Sequence, residues 1–375
     1  MELTNIRLGD YIERSTINNK ELKYGVDLIV GVNSQGVFAA PKGNTDGVDL
    51  KPYKIVENGA FVYNPTRLEL GSIAYRTEGL CIVSHLYMVF YLTDEGKKII
   101  DPMWLYIYFR RSEFCREVKF RNFGSQRPEF NFNDMSDIVI PLPDIEIQKK
   151  YVDIYNAMLE NQKSYEYGLE DLKLACDAYI EDLKHGIHCK AIGPYVERHD
   201  VRNRTNEIKN VMGVSTSKEF REPTSKVNRN ELSNYKIVRP RQISFVQTTH
   251  NEKVFAYAFN NTEDDIVVTS VNEVFSVDED KLLPEYLCMF FNRTEFDRYA
   301  RFHSWGSARE TFTWDDLVKV EIPIADMKTQ KSIADIYKAY KERKAINEKL
   351  KAQIKDICPI LIKGSIEEAR KAKEA

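Results

Sequence analysis

The sequence has no C-x-x-C pair, although it holds six cysteines, Cys81, Cys115, Cys176, Cys189, Cys288 and Cys358. Their wide spacing argues against a zinc site and a disulfide framework and leaves reduced thiols, most of them in a core. No apolar run approaches the ~20 residues that a membrane span needs. The opening stretch MELTNIRLGDYIERS has neither the basic start nor the apolar segment of a signal peptide. There is no G-x-x-x-x-G-K-[ST] loop for an ATPase and no glycine-rich loop opening a helix around a cofactor. Six scattered histidines form no H-E-x-x-H. Asn64–Pro65–Thr66 is similar to the N-P-P-aromatic motif of amino-methyltransferases but lacks the second proline and the aromatic, and reads as a turn. The net charge of −3 announces no polyanion partner. These absences predict a cytoplasmic chain with no catalytic site, no metal and no cofactor of its own.

What is present is a repeat. FGSQRPEFNFND at 123–134 returns as WGSARETFTWDD at 305–316, an offset of 182. At the same offset Pro102 meets Pro284, Phe109 meets Phe291, Gln148 meets Gln330, and IPLPD at 140–144 meets IPIAD at 322–326. Tyr53–Val56 meets Tyr235–Val238 as well. So many matches at one spacing define a tandem duplication, which 375 residues can house as two domains of ordinary size. The copies diverge most in residues 15–52 and 199–232.

Each copy opens with β-branched and aromatic runs, KIVENGAFVY and IVSHLYMVFYL in the first, KIVRPRQISFV and DIVVTSVNEVFSV in the second, which predict strands. Short helices near 102–116 and 284–300 would start at Pro102 and Pro284. Each copy then ends in one long helix, with Asp144 and Asp326 as N-caps and Gly186 and Gly364 as stops. Apolar positions step by 4 and 3 along both helices, a heptad seam. It runs through Tyr155, Met158, Leu169, Leu172 and Tyr179 in the first and Tyr337, Tyr340, Leu350 and Ile354 in the second. The second helix should be a turn shorter and kink or end at Pro359. Antiparallel pairing of the two would put a globular head at each end of a rod. The expected fold is α+β: a tandem repeat of two mixed α/β domains separated by two long antiparallel coiled-coil helices, a pseudo-two-fold dumbbell. Such a shape suits duplex DNA with two separated half-sites. The boundaries read as 1–144 and 187–325 for the heads, with 145–186 and 326–375 for the helices and tail.

This order of variable strand domain, GSxR segment, PLPxxxxQ and long helix, then all of it again, resembles the specificity (S) subunit of type I restriction–modification enzymes over essentially the whole chain. The segments carrying the resemblance are YNPTRLELGSIAY with IVSHLYMVF, FGSQRPEFNFNDMSDIVIPLPDIEIQKKY and WGSARETFTWDDLVKVEIPIADMKTQKS. The resemblance implies that each head is a target recognition domain reading half of a bipartite asymmetric site in double-stranded DNA. It implies that the helices dock two methyltransferase (M) subunits, which bring S-adenosylmethionine. Restriction/translocase (R) subunits, with their ATP and magnesium, would join the full complex. The second copy departs from the pattern: Ala325 replaces Pro143, and FVQTTHNE stands where the first has YNPTR. The alternative is a coiled-coil interaction scaffold without DNA specificity.

Phosphate and base contacts need Arg, Lys or small polar side chains. Residues 187–260 carry 13 basic against 7 acidic residues, a local net of +6, which predicts a basic face. Candidate contacts there are Arg198, Arg202, Arg204, Arg239 and Arg241. Arg127 and Arg309, with Ser125 and Ser307, occupy matched positions in the repeated Gly-Ser turn. Arg67 and Arg76 flank the corresponding segment of the first copy.

Overall fold

The computed structural model describes residues 4–41, 43–122, 129–248, 254–304 and 310–374. The chain divides into two compact units, Met1–Ser164 with Asn347–Ala375, and Tyr165–Ile346. Among the described residues no helix is long and apolar enough to cross a membrane.

In the first unit, Asn5–Arg7 pairs antiparallel with Val139–Pro141, returning the chain start to the root of the first long helix. A four-stranded antiparallel sheet has the order Ile12–Arg14, Met88–Leu92, Phe61–Tyr63, Ile73–Tyr75. Lys54–Val56 pairs with Cys81–Val83, and Gly31–Val32 forms a hairpin with Phe38–Ala39. Phe61, Phe90 and Phe109 pack ring to ring at the centre of the core, with Trp104 and Phe114 fully buried beside them. The Pro102–Phe109 helix starts where the sequence predicts, because Pro102 gives up an amide that has no helical partner and Asp101 accepts from the Met103 and Trp104 amides.

The second unit repeats this topology. Cys189–Ala191 pairs with Glu321–Pro323, and the sheet order is Val196–His199, Asn272–Val277, Ile243–Val246, Tyr257–Phe259. The hairpin Gly213–Val214/Phe220–Arg221 lies 182 residues beyond its counterpart, inside the segment whose sequences diverge. Its turn keeps the left-handed residue too: Gly36 has φ 74° and Lys218 φ 62°. Each hairpin is tied to its head by a different buried cation. Arg110 donates to the Gly71 carbonyl at 2.7 Å, with its guanidinium packed where a Cβ on Gly36 would stand. In the second unit the cation comes from the hairpin itself, as Lys218 donates to the Phe291 carbonyl at 2.7 Å and pairs with Asp297 at 2.8 Å.

The two long helices span Ile145–Gly186 and Met327–Glu374, about 63 and 72 Å at 1.5 Å per residue. Asp326 caps the second, its carboxylate accepting from the Thr329 amide at 3.0 Å. In the first, the Asp144 carbonyl accepts from the Gln148 amide. The first helix stops at Gly186 as expected. The second does not stop at Gly364, nor end at Pro359, and it is longer than the first rather than shorter. The reason is tertiary. Ser365 and Ala369 are buried against the first head, Trp104 Nε1 donates to Ser365 Oγ, and Glu368 binds Lys150 and the Tyr151 hydroxyl. Gly364 is a notch for Tyr151: a Cβ there would lie 2.8 Å from the ring.

Within the first unit the helices run antiparallel, since Lys150 meets Glu368 and Gln162 meets Asn347. Tyr155, Met158 and Ile354 join the core of that head. In the second unit Tyr337 packs on the core of its head, while Leu169, Leu172 and Tyr340 are half-buried. Leu350, in the first unit, is also half-buried. One seam position is corrected: Tyr179 is exposed, and Ile180 is fully buried in its place. A straight helix turns 3.6 rather than 3.5 residues, so the buried stripe drifts from the heptad frame over several turns.

Candidate nucleic-acid interface

The matched glutamines build the roots of both heads. Gln148 is fully buried, accepts from the Asp101 amide at 2.8 Å, and donates to the Ile99 and Pro143 carbonyls at 2.8 and 2.7 Å. Gln330 does the same with the Leu283 amide and the Lys281 and Ala325 carbonyls at 2.9, 2.9 and 2.8 Å. All partners stand 182 residues apart. A side chain with one acceptor and two donors is what this junction of helix and loops requires, which explains why both copies carry Gln here. Ala325 replaces Pro143 without loss because only its carbonyl is used.

The predicted contact residues fall into three groups. Ser125, Arg127, Ser307 and Arg309 lie outside the described residues. Arg67, Arg204 and Arg239 are exposed, and none makes a side-chain hydrogen bond or ion pair among the described residues. Arg67 precedes a short helical turn, Leu68–Leu70, that ends on left-handed Gly71. Ahead of it the Asn64 carboxamide oxygen accepts from the Thr66 amide and hydroxyl, so Asn64–Pro65–Thr66 is a turn.

The other arginines are engaged within their own units. Arg76 lies over the Phe38 ring and reaches the Leu80 carbonyl. Arg202 binds Asp200 and the Asn234 carbonyl. Arg241 is gripped by Glu279 and Glu285, which raise its pKa through these hydrogen bonds. Arg198 makes a bidentate pair with Glu273 at 2.8 and 2.7 Å. Glu273 is 4% exposed and also receives Lys236 at 3.4 Å and Gln247. The basic stretch read from residues 187–260 is therefore partly neutralised by carboxylates from outside it: Glu273, Glu279, Glu285 and Asp297.

Sequence reasoning counted Lys236 in the basic stretch and matched Lys54 to it, but missed Glu273, and Arg14 at the station of Arg198 in the first head. The offset of 182 aligns Lys54 with Lys236 but hides the other two, since Arg198 stands 184 residues beyond Arg14 in the equivalent register. Strand registers place Phe275 opposite Ile243 as Phe90 is opposite Phe61, so the offset there is 185, not 182. The cysteines were read as mostly core, but Cys115, Cys176 and Cys189 are only half-buried. Cys81, Cys288 and Cys358 are buried free thiols, and burial pushes Cys358 up to about 11. Among the described residues no cluster of His, Cys, Asp or Glu could hold a metal.

Fold and site together define a tandem protein in which one α+β head recurs, each copy rooted on a long helix through the same glutamine clamp. The family described as the type I restriction modification DNA specificity domain matches the chain twice, over residues 2–166 and 194–356. The chain belongs to this family and is a DNA specificity subunit of the type I restriction–modification class. It is similar in fold to the S subunit of the type I system of M. genitalium, at 11% identity and a TM-score of 0.60, over 98% of this chain and 96% of that one. It also aligns with the HsdS subunit of Thermoanaerobacter tengcongensis at 15% identity and a TM-score of 0.40, over 97% of this chain and 96% of that one. No curated protein matches it in sequence.

Proposed function

We propose that the chain reads a bipartite, asymmetric target in double-stranded DNA, one head per half-site, with heads at 1–144 and 187–325. In this reading the helices at 145–186 and 326–375 set the spacing and carry two methyltransferase (M) subunits. Restriction/translocase (R) subunits join in the full cytoplasmic complex. The chain itself is non-catalytic; S-adenosylmethionine enters with M. The observation that carries the reading is the pairing of one conserved topology with two unlike segments. The strands and hairpins repeat, while the residues between Arg14 and Lys54 and between Arg198 and Lys236 do not. A common frame with divergent loops is what two heads need to read different bases. Arg67, Arg204 and Arg239, exposed and without side-chain partners among the described residues, are the favoured contacts, with Arg127 and Arg309 of the repeated G-S-x-R sequence.

The test is an exchange of residues 187–325 for the corresponding domain of a relative, followed by mapping of methylated sites in the complex with M. One half of the target should change and the other stay. Simultaneous change of both halves would overturn the assignment of one head to one half. Methyl transfer by the purified chain alone would overturn its non-catalytic role.

A further inference from the structure

The two heads carry the same pair of cations at the roots of their variable segments, but only one pair is neutralised. In the second head Arg198 faces Phe275 across its strand pair, and Lys236 faces Val268. In the first head Arg14 faces Phe90 and Lys54 faces Val83, the equivalent registers. The bridges Asn18–Lys54 and Arg202–Lys236 fix the same correspondence. Glu273 closes the second pair, with Asp200 3.6 Å from Lys236 as an additional counter-charge.

Both carboxylates are missing from the first head. Glu273 sits opposite Phe245, and the matching cross-strand pair is Met88 opposite Tyr63. Asp200 stands two residues before Arg202, and Thr16 stands two before Asn18. Arg14 is exposed and makes no side-chain hydrogen bond or ion pair among the described residues, and Lys54 reaches only the Tyr87 carbonyl. The Tyr63 hydroxyl is buried and has no hydrogen-bond partner, where the second head has a phenylalanine. The first head thus gathers an arginine, a lysine and a phenol whose only hydrogen bond to the protein is to one carbonyl; the Asp134 carboxylate, which also acts on Tyr63, accepts from the Asn131 amide and bonds none of the three. Burial and the neighbouring Arg14 both lower the Lys54 pKa, so an arriving anion would relieve an existing repulsion.

We infer that Arg14 and Lys54 form an open anion site in the first head that holds a backbone phosphate of duplex DNA, whereas Glu273 closes the equivalent site in the second. This rests on the reading that the chain binds duplex DNA. The guanidinium fork and the ammonium suit a phosphate, and such a contact positions the head at the foot of its variable segment without reading a base. The heads then grip DNA unequally, and the first contributes one more phosphate contact than the second at this station.

The experiment uses the full chain and random-sequence duplex, with affinity measured against salt. Loss of one phosphate contact lowers the slope of log K against log salt by about 0.9. Arg14→Gln should lower it by about that amount. Met88→Glu copies the carboxylate of the second head and should do the same while the melting temperature holds or rises, which separates neutralisation from misfolding. If the parent binds with a steep salt dependence and both variants keep its slope, the phosphate site is refuted while DNA binding stands. A variant that keeps the slope but relaxes one position of the target would make the contact a base contact and refute the phosphate. If the parent shows no salt-dependent binding, both this inference and the DNA-binding reading fall.

Discussion

Gln162 donates to the Oδ1 of Asn347 at 2.9 Å inside the helix seam of the first unit, where the two residues are 7% and 3% exposed. A buried polar pair between helices specifies register at some cost in stability. Gln162→Leu alone should destabilise the chain by ~1–3 kcal/mol, because it leaves a buried carboxamide short of a partner. The double variant Gln162→Leu/Asn347→Leu should recover much of that loss. Urea denaturation in a double-mutant cycle measures the coupling; additive effects would show that the pair does not act as a unit.

The Gln148 clamp offers a pH test. Gln148→Glu sets a carboxyl against the Ile99 and Pro143 carbonyls, which need donors. The folded state should favour the protonated acid, so its pKa rises above the unfolded value of ~4.3. The folded protein then binds more protons than the unfolded one, and the variant should lose stability as pH rises through the folded pKa. The parent should show no such step. Gln330→Glu, against the equivalent Leu283 amide and Lys281 and Ala325 carbonyls, should behave alike, and melting temperatures across pH 4–8 compare them.

Gly364→Ala should destabilise, although alanine in a helix interior is ordinarily favoured over glycine by ~1 kcal/mol. The new Cβ meets the Tyr151 ring at 2.8 Å, and relieving that overlap should cost ~1–3 kcal/mol. Tyr151→Leu in the same chain should restore part of it. A stabilised single variant would show that the notch is not needed.

Arg241 has φ 69°, where the first copy has Gly59 at φ 90°. Arg241→Gly loses the ion pairs to Glu279 and Glu285 but relieves the left-handed backbone, whereas Arg241→Ala loses the pairs and keeps the strain. The alanine variant should therefore be the less stable of the two by ~1 kcal/mol. Equal melting temperatures would mean that the backbone relaxes at this site.

The sequence by itself determined the duplication, the proline starts of the short helices and the existence of two long ones. Those features rest on local rules: Pro102 and Pro284 fit the first turn of a helix, where the missing amide has no partner to lose, and the 4–3 spacing of apolar residues marks a face without any knowledge of its partner. Matched Gln148 and Gln330 were visible as a repeat, yet their hydrogen-bonding task was not, because two of the three partners of each are backbone groups 47 to 49 residues away. Tertiary structure alone decided that the second helix continues past Pro359 and Gly364, since burial of Ser365 and Ala369 against the first head outweighs two local stop signals. It also decided which cations are available. Arg198 and Arg204 look alike in a charge count, but a buried carboxylate 75 residues downstream engages the first, while the second has no side-chain partner among the described residues. Charge is a property of composition; whether it is neutralised depends on which strands lie side by side.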